Sequence, residues 1–120
     1  MTTPLNRADT AWDAITDKVA DDIPTVVIFR KYRDTGAIVA IFPEIPGSPN
    51  PSTCLTYEHI GQHGSGFDSQ IVSITEPAKA SEYADLRREL ESIGYVLDIK
   101  RKNHYRFYRT RRDALIMASR

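Results

Sequence analysis

Two dense runs of β-branched and aromatic residues, Thr25 to Arg33 and Ala37 to Phe42, flank the tripeptide Asp34-Thr35-Gly36. Runs of this kind across a short glycine-containing turn predict a β-hairpin. Both are nearly continuous in apolar residues, which predicts cover on both faces of the pair. Pro43 to Pro51 follows, with four of the chain's seven prolines. Proline lacks a backbone donor and fixes its own φ, so this stretch is predicted to be a stiff loop. A third strand is predicted over Thr53 to Ile60. A loop punctuated by Gly61, Gly64 and Gly66 comes next, then a fourth strand over Gln70 to Thr75.

Helical spacing replaces alternation in two places. Ala8, Ala11, Trp12, Ile15 and Val19 share one side, with Asp13, Asp17 and Asp21 opposite and Asn6 placed to cap. They predict a short amphipathic helix over about 8–20, closed before Pro24 because a residue preceding proline avoids helical dihedrals. Tyr83, Leu86, Leu90 and Ile93 form a second stripe, with Glu82, Asp85, Arg88, Glu89 and Glu91 outward and Gly94 as the C-terminal cap. Tyr95, Leu97 and Ile99 then alternate with Asp98 and Lys100 as a one-sided strand. The order α-β-β-β-β-α-β predicts an α+β fold, a mostly antiparallel sheet of about four or five strands packed against one or two helices. Residues 1–101 form the domain on this reading. Residues 102–120 form a basic C-terminal segment that is either a strand or an amphipathic helix.

Charge changes the picture at that segment. The chain carries 16 Lys+Arg and 16 Asp+Glu, but they are segregated. From residue 100 to residue 120 there are eight bases and one acid, a local charge of +7; the first 99 residues hold eight bases and fifteen acids, a charge of −7. Lys100, Arg101, Lys102, Arg106, Arg109, Arg111 and Arg112 interleave with the aromatics Tyr105, Phe107 and Tyr108. Guanidinium groups suit phosphate, and aromatic faces accept stacked bases, so these ten residues are the candidate contact set for nucleic acid or a protein partner. The alternative is neutralisation by acids of this chain or of a second copy, with the aromatics in a core or interface. A pI near 6.8 is unlike the basic balance of dedicated nucleic-acid domains. Arg30, Lys31 and Arg33, with Arg87 and Arg88, either extend a basic face or are ordinary solvated charges.

Cys54, His59 and His63 are the residues that could carry metal or thiol chemistry, spaced C-x4-H-x3-H. Thiolate and imidazole are ligands that zinc prefers, with Glu58 or Asp68 as a fourth donor. Gly61 and Gly64 oppose the helix that would bring the histidines together, and the spacing matches no common finger. The same set admits a Cys54 nucleophile, with His59 or His63 as base and Glu44 or Asp68 orienting it. Against both stands a buried cysteine near two loop histidines. Gly61-Gln62-His63-Gly64-Ser65-Gly66 lacks the lysine or helix start that a phosphate loop or dinucleotide fingerprint requires. No cofactor is implied, and a metal or thiol enzyme using Cys54, His59 and His63 stands as the last of the alternatives, behind a non-catalytic role.

With 41% hydrophobic and 27% charged residues the chain can build a modest core. No apolar run reaches membrane-spanning length, and MTTPLNRADTAWD is unlike a secretory signal. A single cysteine cannot form an internal disulfide and suits the cytoplasm. The stretches VVIFRKYRDTGAIVAIFPEIPG, CLTYEHIGQHG and EYADLRRELESIGYVLDI resemble small uncharacterised bacterial proteins, some carried on mobile elements. The resemblance spans about residues 25–100 and implies an accessory or interaction protein without assigning any site. The expectation is therefore a small cytoplasmic binding module that acts through a protein partner, self-association or nucleic acid.

Overall fold

The computed structural model describes residues 24–58 and 62–119; the helix expected over 8–20 lies outside them. Six strands and three helices follow in the order β1 (Thr25–Tyr32), β2 (Ile38–Pro46), β3 (Thr53–Glu58), β4 (Gln62–Phe67), α1 (Asp68–Ile74), β5 (Thr75–Pro77), α2 (Ala80–Ser92), β6 (Leu97–Lys100) and α3 (Tyr105–Ala118). The sheet runs β4-β3-β2-β1-β5. Its pairs are antiparallel except for β6, which lies parallel to the first half of β1, Thr25 opposite Leu97 and Ile28 opposite Lys100. Strand β5 pairs with the second half, Tyr32 opposite Thr75, so one edge of β1 is shared end to end by two short strands. The α+β class and mostly antiparallel sheet are those expected from the pattern.

The predicted hairpin is β1–β2, with Ile28 opposite Ile41 and Lys31 opposite Ile38. Gly36 turns it with φ of +77°, a conformation that costs a residue without Cβ little. Successive strand residues face opposite ways. Val27, Phe29, Ala40, Phe42 and Tyr57 therefore meet Leu86 and Leu90 of α2 on one face. Val26, Ile28, Val39, Ile41 and Cys54 meet Ile71 of α1 and Phe107 of α3 on the other. The continuous apolar runs are explained by this cover on both faces. Tyr83 of α2 stacks on Phe29 with ring centroids 4.3 Å apart, and the Tyr57 hydroxyl donates to Glu89 at 2.5 Å. That hydrogen bond is the main reason the phenol is pushed up to about 12. Gly94, φ +114°, follows the helix where a left-handed residue ends it.

Three sequence expectations are corrected. The fourth strand expected over Gln70 to Thr75 is instead α1, with a three-residue strand after it. The β-branched signal of Ile71, Val72 and Ile74 is overridden by tertiary contact, since a helix buries Ile71, half-buries Val72 against the same cluster and leaves Ile74 exposed. Cations support the end of this short helix: Arg30 donates to the Val72 carbonyl at 3.0 Å and Arg33 to the Ser73 carbonyl at 2.9 Å.

The glycine-rich stretch expected as a loop is strand β4. Glycine inside a strand marks a close approach. A Cβ on Gly66 would sit 2.9 Å from the Ile71 Cδ1, so the glycine lets the Ile71 side chain lie directly on β4. The proline loop begins later than expected, because β2 continues to Pro46 through a register shift between Phe42 and Pro46.

Gly47 closes that irregularity. A methyl group on it would collide with the Cys54 backbone carbonyl and come within 2.5 Å of the Ser65 Cβ. Gly47→Ala is therefore expected to destabilise the fold by about 1–3 kcal/mol through overpacking. The denaturant midpoint measures it, and an unchanged midpoint would contradict the contact.

Candidate functional site

The basic segment is a helix from Tyr105, and its periodicity decides which bases face inward. His104 is the N-cap, its Nδ1 accepting from the Arg106 N–H at 3.0 Å. Phe107 and Arg111 are buried, Tyr108, Arg112 and Leu115 are half-buried, and Tyr105, Arg106 and Arg109 are exposed. The stripe Phe107, Arg111, Leu115 at four-residue spacing packs α3 against β2 and the proline loop. The segment is thus an amphipathic helix, one of the two forms the sequence allowed. Two residues expected at a partner surface, Phe107 and Arg111, are instead buried.

Arg111 is 1% exposed. Its Nε donates to the Pro51 carbonyl at 3.0 Å, and its Nη1 donates to the Pro43 carbonyl at 2.8 Å and to the Asp68 carboxylate at 3.0 Å. Its guanidinium lies over the Tyr108 ring, 5.6 Å from the centroid. Asp68, in the first turn of α1, also accepts from the Asn103 amide at 3.0 Å and the Ser69 N–H at 2.9 Å. A buried guanidinium is tolerable only when its donors are satisfied. Here one side chain joins α3, both ends of the proline segment and α1.

Other bases also have partners in this chain. Lys100 meets Asp98 at 3.6 Å, Arg112 meets Asp113 at 3.4 Å, and Lys31 meets Glu82 at 2.6 Å. Arg87 pairs with Glu91 at 3.3 Å, and Arg88 pairs with Asp85. Burial lowers the Arg30 guanidinium from its ordinary value; Arg33 lowers it further, Glu76 opposes, and Arg101 adds to the lowering, which sets Arg101 near that end of β1. The side chains of Arg101, Lys102, Arg106 and Arg109 make no hydrogen bond or ion pair among the described residues. Separation of charge along the sequence therefore becomes, in space, a short row of unpaired cations at the start of α3.

Beside that row is an open cleft of about 440 Å³. The Asp68, Asn103 and Arg111 network forms its floor, Ser52, Ser69 and His104 its polar wall, and Tyr105 and Tyr108 its aromatic wall. The two tyrosine rings are 5.7 Å apart and tilted by 30°. Tyr105 is 66% exposed. Asn103 and His104 fall within the basic run, but Ser52 and Ser69 carried no signal, because only the fold brings them to α3.

Cys54 and His63 do not converge. Cys54 belongs to the face under α1 and α3, whereas His63 sits opposite Tyr57 and touches the other face. His63 Nε2 is 2.7 Å from the Tyr95 hydroxyl. His59 lies outside the described residues, and among those described no three His, Cys, Asp or Glu side chains gather as a metal set. Burial, then the Asp68 charge, pushes the Cys54 thiol up to about 12. A thiol held neutral on a closed face has no thiolate with which to attack.

No helix among the described residues is long and apolar enough to cross a membrane. Comparison of the chain with protein-family models, curated proteins and solved structures gives no match in any of the three.

Two outcomes test this geometry. Removing one partner of a buried ion pair strands the other, so Arg111→Ala should cost about 3–5 kcal/mol in chemical denaturation. A loss below about 1 kcal/mol would mean that the interior guanidinium does not organise the fold. Cys54 should resist thiol reagents in the native state at pH 9, where an ordinary thiol reacts, and react once denatured. Because its folded value is raised, the stability it contributes is complete below the ordinary thiol range and disappears as pH climbs towards 12. Rapid native labelling at pH 9 would contradict this.

Proposed function

We propose that the chain is a small, cytoplasmic, non-catalytic binding module that holds nucleic acid against the exposed side of α3. The observation that carries this reading is the row Arg101, Lys102, Arg106 and Arg109, unpaired among the described residues while the neighbouring arginines are engaged. Guanidinium groups are planar donors matched to phosphate oxygens, and one row of them fits a polyanion better than it fits an isolated anion. The rest of the chain is acidic, which keeps the contact local to this row and suits moderate affinity. A lone buried thiol is compatible with a reducing compartment.

Fluorescence polarisation with labelled DNA and RNA over a salt series tests the reading. Binding should weaken steeply with salt, by a log–log slope of about 0.7–0.9 per phosphate neutralised. The double variant Arg106→Ala, Arg109→Ala should lower both affinity and slope, the slope by about one per base removed. Arg87→Ala with Arg88→Ala makes the same change in net charge on α2 and should leave binding as it is. Absence of binding at low salt, or equal losses from the two double variants, would rule out this face. A dimer that dissociates with salt in light scattering, without nucleic acid, would favour self-association through the same row.

A further inference from the structure

We infer that the cleft beside α3 is a base-binding subsite and that the preferred ligand is single-stranded; this deepens the nucleic-acid reading above and rests on it. A row of cations alone attracts any phosphate backbone. What distinguishes this face is the aromatic wall next to it. Tyr105 is two-thirds exposed although it stands at the first turn of a helix whose other side is packed. Its neighbour Tyr108 is held in place by the Arg111 guanidinium, so the pair is supported from beneath. An exposed ring on a fixed support is the arrangement on which an unpaired base stacks.

The polar lining offers the donors and acceptors that the edge of a base can use. The Asn103 amide and the Arg111 Nη1 both donate to the Asp68 Oδ2, which pairs the one carboxylate of the floor with its one guanidinium. The groups left without hydrogen bonds among the described residues are the Ser52, Ser69, Tyr105 and Tyr108 hydroxyls, the His104 Nε2 and the Arg111 Nη2. His104 accepts at Nδ1 from the Arg106 N–H, so its neutral ring carries the proton on Nε2 and presents a donor to the cleft. Hydroxyls donate or accept as needed, so these groups can meet the edge of any base with little discrimination. Arg109 follows Tyr105 by one helical turn and Arg106 is adjacent to it in sequence, which sets cations beside the ring for the flanking phosphates. A duplex keeps its bases paired and stacked and cannot present one to this wall. The cleft's volume is in the range that holds a small molecule.

The test uses the full chain with a labelled oligothymidylate of about 16 nucleotides and a duplex of equal length at matched salt. The single strand should bind more tightly. Tyr105→Ala should weaken it on the order of tenfold to a hundredfold, the loss of one base stack, without changing the salt slope. Tyr105→Phe, which keeps the ring, should retain most of the affinity. Tyr105 is exposed enough for truncation to spare the fold, and matched thermal melts establish this. Equal binding of single strand and duplex, or a Tyr105→Ala protein indistinguishable from the parent while Arg106→Ala, Arg109→Ala weakens, overturns the base subsite and leaves the polyanion reading standing. No binding of either strand at low salt overturns both.

Discussion

The Arg111 guanidinium is the contact on which the arrangement of this molecule depends. A cation in the interior is costly unless its donors are met, and here the partners come from the Pro43 and Pro51 carbonyls and from Asp68. Those partners belong to separate stretches of chain, so satisfying one side chain fixes the proline segment, the start of α1 and the rotation of α3 together. The rotation matters most. Once Arg111 points inward, a period of 3.6 residues sends Phe107 and Leu115 inward with it and turns Arg106 and Arg109 to the outside. Which bases are available to a partner is thus decided by the one base that is not.

The same contact reinterprets the charge asymmetry. As a sequence the molecule is a +7 block on a −7 body. In space the block is partly absorbed by acids outside it, Arg111 by Asp68 and Lys100 by Asp98, while Arg112 meets Asp113, the block's own acid. Surface pairs such as the last two contribute little to stability. They do, however, blunt the field locally, so the residual positive potential is concentrated near Arg101, Lys102, Arg106 and Arg109. Arg30 of β1 and Arg33 just after it are likewise engaged, since they support the last carbonyls of α1. The basic face that these might have extended is therefore narrower than a count of arginines suggests.

Legibility in the sequence followed the range of the interactions involved. The β1–β2 hairpin and α2 could be read because their local periodicity agrees with their burial: Leu86 and Leu90 are both buried where the stripe placed them. Strand β4 and helix α1 could not, because each depends on the other. Gly66 reads as a loop signal until Ile71 is seen against it, and Ile71-Val72 reads as a strand until a helix turns both towards one core face and leaves Ile74 exposed. At the site, the ten residues of the basic run were identified as chemistry but not as geometry. Nothing in the run distinguishes Arg111 from Arg109, since what separates them is the distant Asp68. Ser52 and Ser69 had no motif at all and reach the cleft only through the fold.

The cleft and the structural pair are two sides of one device. A binding surface made wholly of unsatisfied charge would be held poorly, because like charges repel and long side chains lose entropy when ordered. Here the floor is the Asp68–Arg111 pair with Asn103 on the same carboxylate, neutral as a unit and fixed by burial, while the free cations lie outside the lining on solvated side chains. Rigidity is provided where an aromatic wall must be aimed and mobility where a flexible backbone must be met. A polyanion would be drawn by those cations without being repelled by the floor, and an uncharged base would meet a surface with no net charge of its own. The acid that anchors the interior arginine therefore also keeps the cleft neutral, so stability of the fold and the chemistry proposed for its surface rest on the same carboxylate.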